Sequence, residues 1–275
     1  MPALFAAPAA VAFGVADFAG GLAARRASTL TVTAVAQLTG LLALVPAVLL
    51  FPGHPSTVSA GIGVLAGLAG VCGLLLYFRG LAVGPMGVVA PLSAVVGAGL
   101  PLMIGVLLGE RPGPVTLGAM AVALVAIVLA TAGSRRDRAA GTGLALGLGS
   151  GLGFGLFFVA LDATPADSGL WPLLAGRVVS TTLLSIVVAT RWRRGEPVAG
   201  WGLMALSGVL DTVANVLFLL ATRSGPLSVS AVLVSLYPVV VVLLARTVLR
   251  ERLTGLQLTS VVLALTAGML LASGG

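Results

Sequence analysis

Residues 79–92 read RGLAVGPMGVVAPL, and the segment around Gly84-Pro85 has a near copy later in the chain. Laying VGPMGVVAPL (83–92) on SGPLSVSAVL (224–233) puts Gly225 141 residues after Gly84, and the same 141 residues separate Glu110 from Glu251. The offset also lays Phe154-Gly155 on Phe13-Gly14, so one ungapped shift relates 13–133 to 154–274. Self-similarity at a fixed spacing over half a chain is an internal repeat.

Apolar runs fill both copies. The 275 residues are 59% hydrophobic and only 8% charged, with a mean hydropathy of +1.16, which excludes a water-soluble domain with one apolar face per element. Runs of about 20 apolar residues match the hydrocarbon thickness as helices, whereas a membrane barrel reads as alternating segments of about ten. Breaking the runs at Pro, Gly and charge clusters predicts ten spans, at 4–24, 30–51, 58–79, 85–109, 113–133, 141–163, 169–190, 199–222, 226–249 and 254–273. The fold expected is an all-α membrane protein of ten transmembrane helices in two five-helix repeats, 1–138 and 139–275. An odd number of spans per copy turns the second copy upside down. Inverted repeats are a transporter architecture, with the substrate site between them near the bilayer midplane. The opening MPALFAAPAA has no basic flank and runs into a full apolar segment, so it reads as the first span and not as a removable signal.

A net charge of +7 and a pI near 11.4 would suit nucleic acid, but the basic residues, all fifteen of them Arg, sit in short clusters between apolar runs with the exception of Arg177. They read as topology signals instead. Connections after odd-numbered spans carry twelve: Arg25, Arg26, Arg79, Arg135, Arg136, Arg138, Arg191, Arg193, Arg194, Arg246, Arg250 and Arg252; the opposite side has only Arg111 and Arg223. The bias places the odd connections in the cytoplasm and both termini outside. A cysteine at Ala139→Cys, in a Cys72→Ser background, should therefore react with an impermeant maleimide only after cell lysis. Labelling of intact cells would reverse the orientation.

The ten spans, the five-plus-five repeat, the endings GERP (109–112) and RERL (250–253), RGLAVGPMGVVAPL and LYPVVVVLLARTVLRERL (236–253) together resemble EamA-type members of the drug/metabolite transporter superfamily. The resemblance covers nearly the whole chain. It implies a multi-pass plasma-membrane carrier. Its motifs are specific for fold and transporter class but poor for substrate, since the family spans amino-acid exporters, metabolite carriers and proteins of unassigned cargo. The cargo expected here is a small metabolite or amphiphilic compound, moved outward. It also implies cytoplasmic termini, against the arginine bias, and spans four and nine lining a central cavity, where Ser93, Ser235 and Tyr237 would meet cargo.

Of the eight acids, Glu110 and Glu251 sit beside Arg111 and Arg252 at span ends, where an interfacial ion pair is expected. Asp162 and Asp167 flank a connection, and Asp137 and Glu196 lie among arginines. Only Asp17 and Asp211 fall well inside spans, where a charge costs several kcal/mol unless it faces a partner or a wet cavity. With the turn between spans seven and eight near Gly195, Arg177 and Asp211 lie at nearly one depth at 1.5 Å per residue. Asn215, one turn on from Asp211, shares its face. Asp17 and Gln37 are each ten residues from a turn near Ala27 and are expected to meet as a second polar site. VADFAGGLAARRAS (15–28) also bears a short resemblance to the first helix of small multidrug resistance transporters, in which a membrane carboxylate exchanges protons for cargo; the alternative for Asp17 is a polar contact between helices.

Other features read as structure. Gly143, Gly147, Gly151 and Gly155 recur every four residues on one helix face, which suits close helix packing; the run lacks the strand and Lys-Ser/Thr of a phosphate loop. Pro91, Pro101 and Pro238 would bend their spans. The lone Cys72 reads as a packed small hydrophobe, and the lone His54 as a surface-loop residue.

These readings predict a secondary transporter driven by an ion or substrate gradient. Asp211, Asn215, Tyr237, Ser235, Ser93, Asp17 and Gln37 would contact cargo, and Arg177 would either hold Asp211 ionised or, as an internal salt bridge, fix the register of its helix. No cofactor, metal or nucleic acid is expected. The partners would be the small-molecule cargo, lipid and coupling protons, with monomer and homo-oligomer both open. The rivals are a non-transporting scaffold or subunit, and an intramembrane enzyme, which would need a nucleophile-base pair or metal ligands converging at depth.

Overall fold

A computed structural model of the protein describes residues 3–51, 53–107, 113–134, 138–191, 200–223, 234 and 237–273. They form ten α-helices: α1 (Ala3–Ala24), α2 (Thr29–Leu50), α3 (Thr57–Val83), α4 (Met86–Leu107), α5 (Pro114–Ser134), α6 (Arg138–Asp162), α7 (Trp171–Arg191), α8 (Trp201–Arg223), α9 (Tyr237–Thr247) and α10 (Gly255–Ser273). Six, α1–α3 and α6–α8, are long and apolar enough to cross a membrane. Residues 226–233, 235 and 236 of predicted span nine lie outside the described residues; of the remainder, Tyr237–Thr247 forms α9.

Short connections carry their own stop and start chemistry. Ser28 caps α2 by accepting from the Thr31 N–H at 3.2 Å. Ser56 and Ser59 cap α3 reciprocally, each hydroxyl taking the other residue's N–H at 3.0 and 3.1 Å. Helix α3 outruns its predicted end at residue 79, so Arg79, counted above with the arginines of the connection, lies within the helix. An Arg can stay on a helix with its head turned outward, so the helix stops only at Gly84-Pro85, where the imino acid supplies no donor. Helix α4 continues through Pro91 and Pro101 from Met86 to Leu107.

Among the described residues, the most extensive helix contacts follow an exchange rule. Replacing each helix by the one five later turns α3–α6 into α8–α1, α4–α6 into α9–α1, and α3–α7 into α8–α2, and all six pairs are in contact. The pairs α2–α7, α4–α9 and α5–α10, which the exchange maps onto themselves, are also formed. A two-fold relation therefore links the halves. At one end of the molecule the α1–α2, α3–α4 and α9–α10 connections meet, through bonds joining Arg25, Gly84 and Glu251. At the other end the α2–α3 and α6–α7 connections clasp: the His54 N–H donates to the Asp167 carbonyl (2.9 Å) and Trp171 Nε1 to the Gly53 carbonyl (3.1 Å).

Missing side chains set the closest helix approaches. On α6, a Cβ at Gly143 would stand 2.6 Å from the Gly84 Cα, at Gly151 2.7 Å from the Ser93 carbonyl, and at Gly155 2.7 Å from the Leu100 Cβ. The four-residue glycine stripe thus lies along the connection to α4 and α4 itself. Gly153 faces the other way, onto Gly73 of α3. Cys72, expected to be packed inside, is exposed on α3 between buried Val71 and Gly73. In lipid the outer face is as apolar as the core, so apolarity alone cannot tell a packed position from an outward one.

Candidate functional site

Polar groups inside the bundle collect around two carboxylates. On α8, Asp211 Oδ2 lies 2.5 Å from Arg177 Nη2 of α7, an ion pair across the α7–α8 hairpin at one depth. The other arm of the guanidinium, Nη1, donates to Gln37 Oε1 of α2. Gln37 Nε2 then donates to Ser180 Oγ (3.0 Å), and Ser180 Oγ donates to the Arg177 carbonyl (3.1 Å), one turn back on its own helix. Arg177 is thus gripped from both sides, which uses the planar fork that a lysine lacks.

Asp17 of α1 is held differently. Its Oδ2 accepts from the Tyr77 hydroxyl of α3 at 2.9 Å, and no cation is bonded to it among the described residues. The Tyr77 ring is buried and edge-on to Phe154, with centroids 5.6 Å apart. Apolar packing therefore holds the phenol while its hydroxyl reaches the acid.

One cavity connects the two acids. It is about 20 Å³ in volume and is lined by Ala16 and Asp17 of α1, Ala36 of α2, Leu74 and Phe78 of α3, Arg177 of α7, and Ser207, Gly208 and Asp211 of α8. That volume suits about one water or a small ion.

Several expected contacts are redistributed. Gln37 does not meet Asp17; it joins the Arg177 group, because α2 packs on α7 and α8 and turns that face toward them. Asn215 does not line the cavity: its Nδ2 donates to the Asp211 carbonyl (2.7 Å) on its own helix, a bond always within reach one turn back. Ser93 is fully buried and shares a 2.7 Å hydroxyl contact with Ser150 of α6, so it ties helices together here. Tyr237 stacks obliquely on Phe13, one turn before Asp17 on α1, with centroids 6.1 Å apart. Ser235 lies outside the described residues. Glu251 pairs with Arg25 and not with the adjacent Arg252.

Tyr77 and Ser180 were missed from the sequence. Tyr77 had a signal, as one of two tyrosines and sited inside an apolar run, since a buried phenol needs an acceptor. Ser180 had only its position three residues after Arg177.

The sequence profile of the EamA-like transporter family matches residues 1–132 and, a second time, 141–273. The chain belongs to the EamA-like transporter family. Its two copies of the family's repeat account for the paired helix contacts. A search of curated proteins finds no match. Among solved structures, one titled only "Crystal structure of protein" superposes on this EamA-like chain with a TM-score of 0.59 at 18% identity, over 97% of this chain and 95% of the other. At that identity the likeness extends to the fold.

Proposed function

We propose that this protein is a plasma-membrane secondary transporter of ten transmembrane helices, exporting a small metabolite or amphiphilic compound by alternating access between inverted halves 1–138 and 139–275. What supports this reading is one observation: both intramembrane acids, Asp17 and Asp211, face a single cavity between α1–α3 of the first half and α7–α8 of the second. Arg177 compensates Asp211, so the charge at Asp17 is the one left for a mobile cation, either a coupling proton or a positive group on the cargo. A cavity near 20 Å³ is too small for a metabolite, so cargo entry requires α1 and α8 to part. Export is carried by the family resemblance.

The cargo class is found first, by thermal-shift screening of a metabolite and drug library, because a ligand of the folded form raises apparent stability by mass action. Counterflow in proteoliposomes then tests the acids with that hit. Asp211→Asn should cut counterflow at least about tenfold, as loss of one charged contact implies. Asp17→Asn should keep counterflow but abolish uptake driven by a pH gradient if the cation is a proton, and lose both if it is a cargo group. Unmodified rates in both variants would remove this cavity from the transport path.

A further inference from the structure

At the end of the molecule where the odd-numbered connections meet, one guanidinium and one carboxylate join the ends of several helices. Arg25, just past α1, donates through Nε to the Leu81 carbonyl (3.2 Å) and through Nη2 to the Gly84 carbonyl (3.3 Å), at the C-terminus of α3. The same Nη2 lies 2.8 Å from Glu251 Oε1. Glu251 also accepts the Met86 N–H on Oε1 and the Gly87 N–H on Oε2, each at 3.2 Å. These are the first N–H groups of α4, which have no partner inside their own helix. The cation thus sits on a helix C-terminus and the anion on a helix N-terminus, each where the backbone dipoles favour it.

The aim of Glu251 is built into its chain. Arg250 before it adopts a left-handed φ of 53°, uncommon for a residue with a side chain, and the Glu251 N–H is tied to the Ala245 carbonyl at 3.1 Å. The Glu251 side chain is 13% exposed, little enough for its bonds to resist competition from water.

The second half carries no equivalent cation. Under the 141-residue offset the counterparts of Arg25 and Arg26 are Ala166 and Asp167, although Glu251 itself answers to Glu110. We infer that Arg25 and Glu251 form a one-sided latch, which bonds the first half's α3–α4 elbow to the second half's α9–α10 connection and holds this end of the transport path shut at rest. This rests on the alternating-access reading, since the halves must separate at this end for the path to open there. Opening strips Glu251 from Arg25 and from both α4 N–H groups together, so the latch releases as a unit.

The test places a reporter at Ser207, which is 2% exposed and lines the closed cavity. Ser207→Cys in a Cys72→Ser background is labelled with an impermeant methanethiosulfonate, added to vesicles from one side or the other. Glu251→Gln, and separately Arg25→Gln, should speed labelling from the latched end by about tenfold, the population change for losing one charge-assisted bond. Labelling from the opposite end should stay level or slow. The swap Arg25→Glu with Glu251→Arg should remain fast, because it restores the ion pair but aims each charge at the wrong helix end. Elution as a single species with unchanged helical circular dichroism checks the fold of each variant, and Arg25→Gln serves if Glu251→Gln does not fold. Unchanged labelling in the folded single variants, acceleration from the opposite end, or slow labelling in the swap would each overturn the latch. Counterflow on the same vesicles separates the two readings. Altered labelling without any counterflow by the unmodified protein would sink the carrier reading and leave Arg25 and Glu251 only as the bond that closes this end of the cavity; counterflow with unaltered labelling would sink the latch alone.

Discussion

Arg177→Leu is expected to destabilise the protein by about 3 kcal/mol, and Arg177→Leu with Asp211→Leu by clearly less. Removing one member of a buried ion pair strands the other, at a typical cost of about 3–5 kcal/mol, whereas removing both leaves nothing uncompensated. The lower end applies because the Asp211 side chain is 36% exposed while that of Arg177 is 16% exposed, so water entering the cavity can partly solvate the stranded acid. The leucine also leaves Gln37 without the donor to its Oε1, which adds to the loss. Arg177→Lys should fall between, since an ammonium keeps the charge but cannot present two arms in a fixed plane to Asp211 and Gln37. Thermal unfolding of the single and double variants in one detergent closes a double-mutant cycle. Strictly additive losses would show that the two residues are uncoupled, and the charge at Asp211 would then need another explanation.

Gly208→Ala should be nearly as damaging despite adding a single methyl. A Cβ at Gly208 would lie 2.0 Å from the Ala36 carbonyl oxygen and 2.3 Å from Thr39 Oγ1, both on α2. Backbone cannot swing aside as a flexible side chain can, so α2 and α8 must part. Overpacking commonly costs about 1–3 kcal/mol, and the top of that range is expected here. The parting also breaks the bond from Thr212 Oγ1 to the Gly40 carbonyl, at 3.0 Å one turn along the crossing. Gly202, on the same helix with nothing within 4 Å, is the internal control. Gly202→Ala should be neutral or stabilising by up to about 1 kcal/mol, the helix-propensity difference between the two residues. Equal melting temperatures for the two variants would contradict the close crossing.

The family and the six membrane-length helices were legible because they depend on local and periodic properties. An apolar run of membrane length has few fates, and the 141-residue offset needs no coordinates to be seen. The α7–α8 pair was legible for a related reason: two helices joined by a short connection share a depth scale, so counting residues from the turn places Arg177 beside Asp211. The same counting misplaced Gln37, although α1 and α2 also form a hairpin. Depth sets how far along a helix a side chain lies, not which neighbour its face meets, and the face of α2 bearing Gln37 turns to α7.

Membrane chemistry erased another signal. In a soluble protein, burial and apolarity travel together, and Cys72 would have been sorted by its neighbours. Here Leu49 and Leu107 are 80% and 83% exposed within apolar helices, so composition alone could not reveal which face packs. Small residues partly restore that information. The α6 glycine stripe was readable because only glycine permits backbones to approach that closely.

By itself the sequence determined that this chain is a duplicated helical membrane protein of a transporter family, and that two acids must lie where lipid would not tolerate them unpartnered. Hydropathy, helix rise and repeat spacing are properties of one segment or of one offset, and they survive without a third dimension. Only the tertiary structure decided that Asp17 belongs to Tyr77, that Gln37 and Ser180 brace Arg177, and that Glu251 reaches back 165 residues to the start of α4. Those pairings depend on the rotation of each helix about its own axis and on which halves interleave. Both are set by the summed packing of many small contacts, to which no single residue in the chain corresponds.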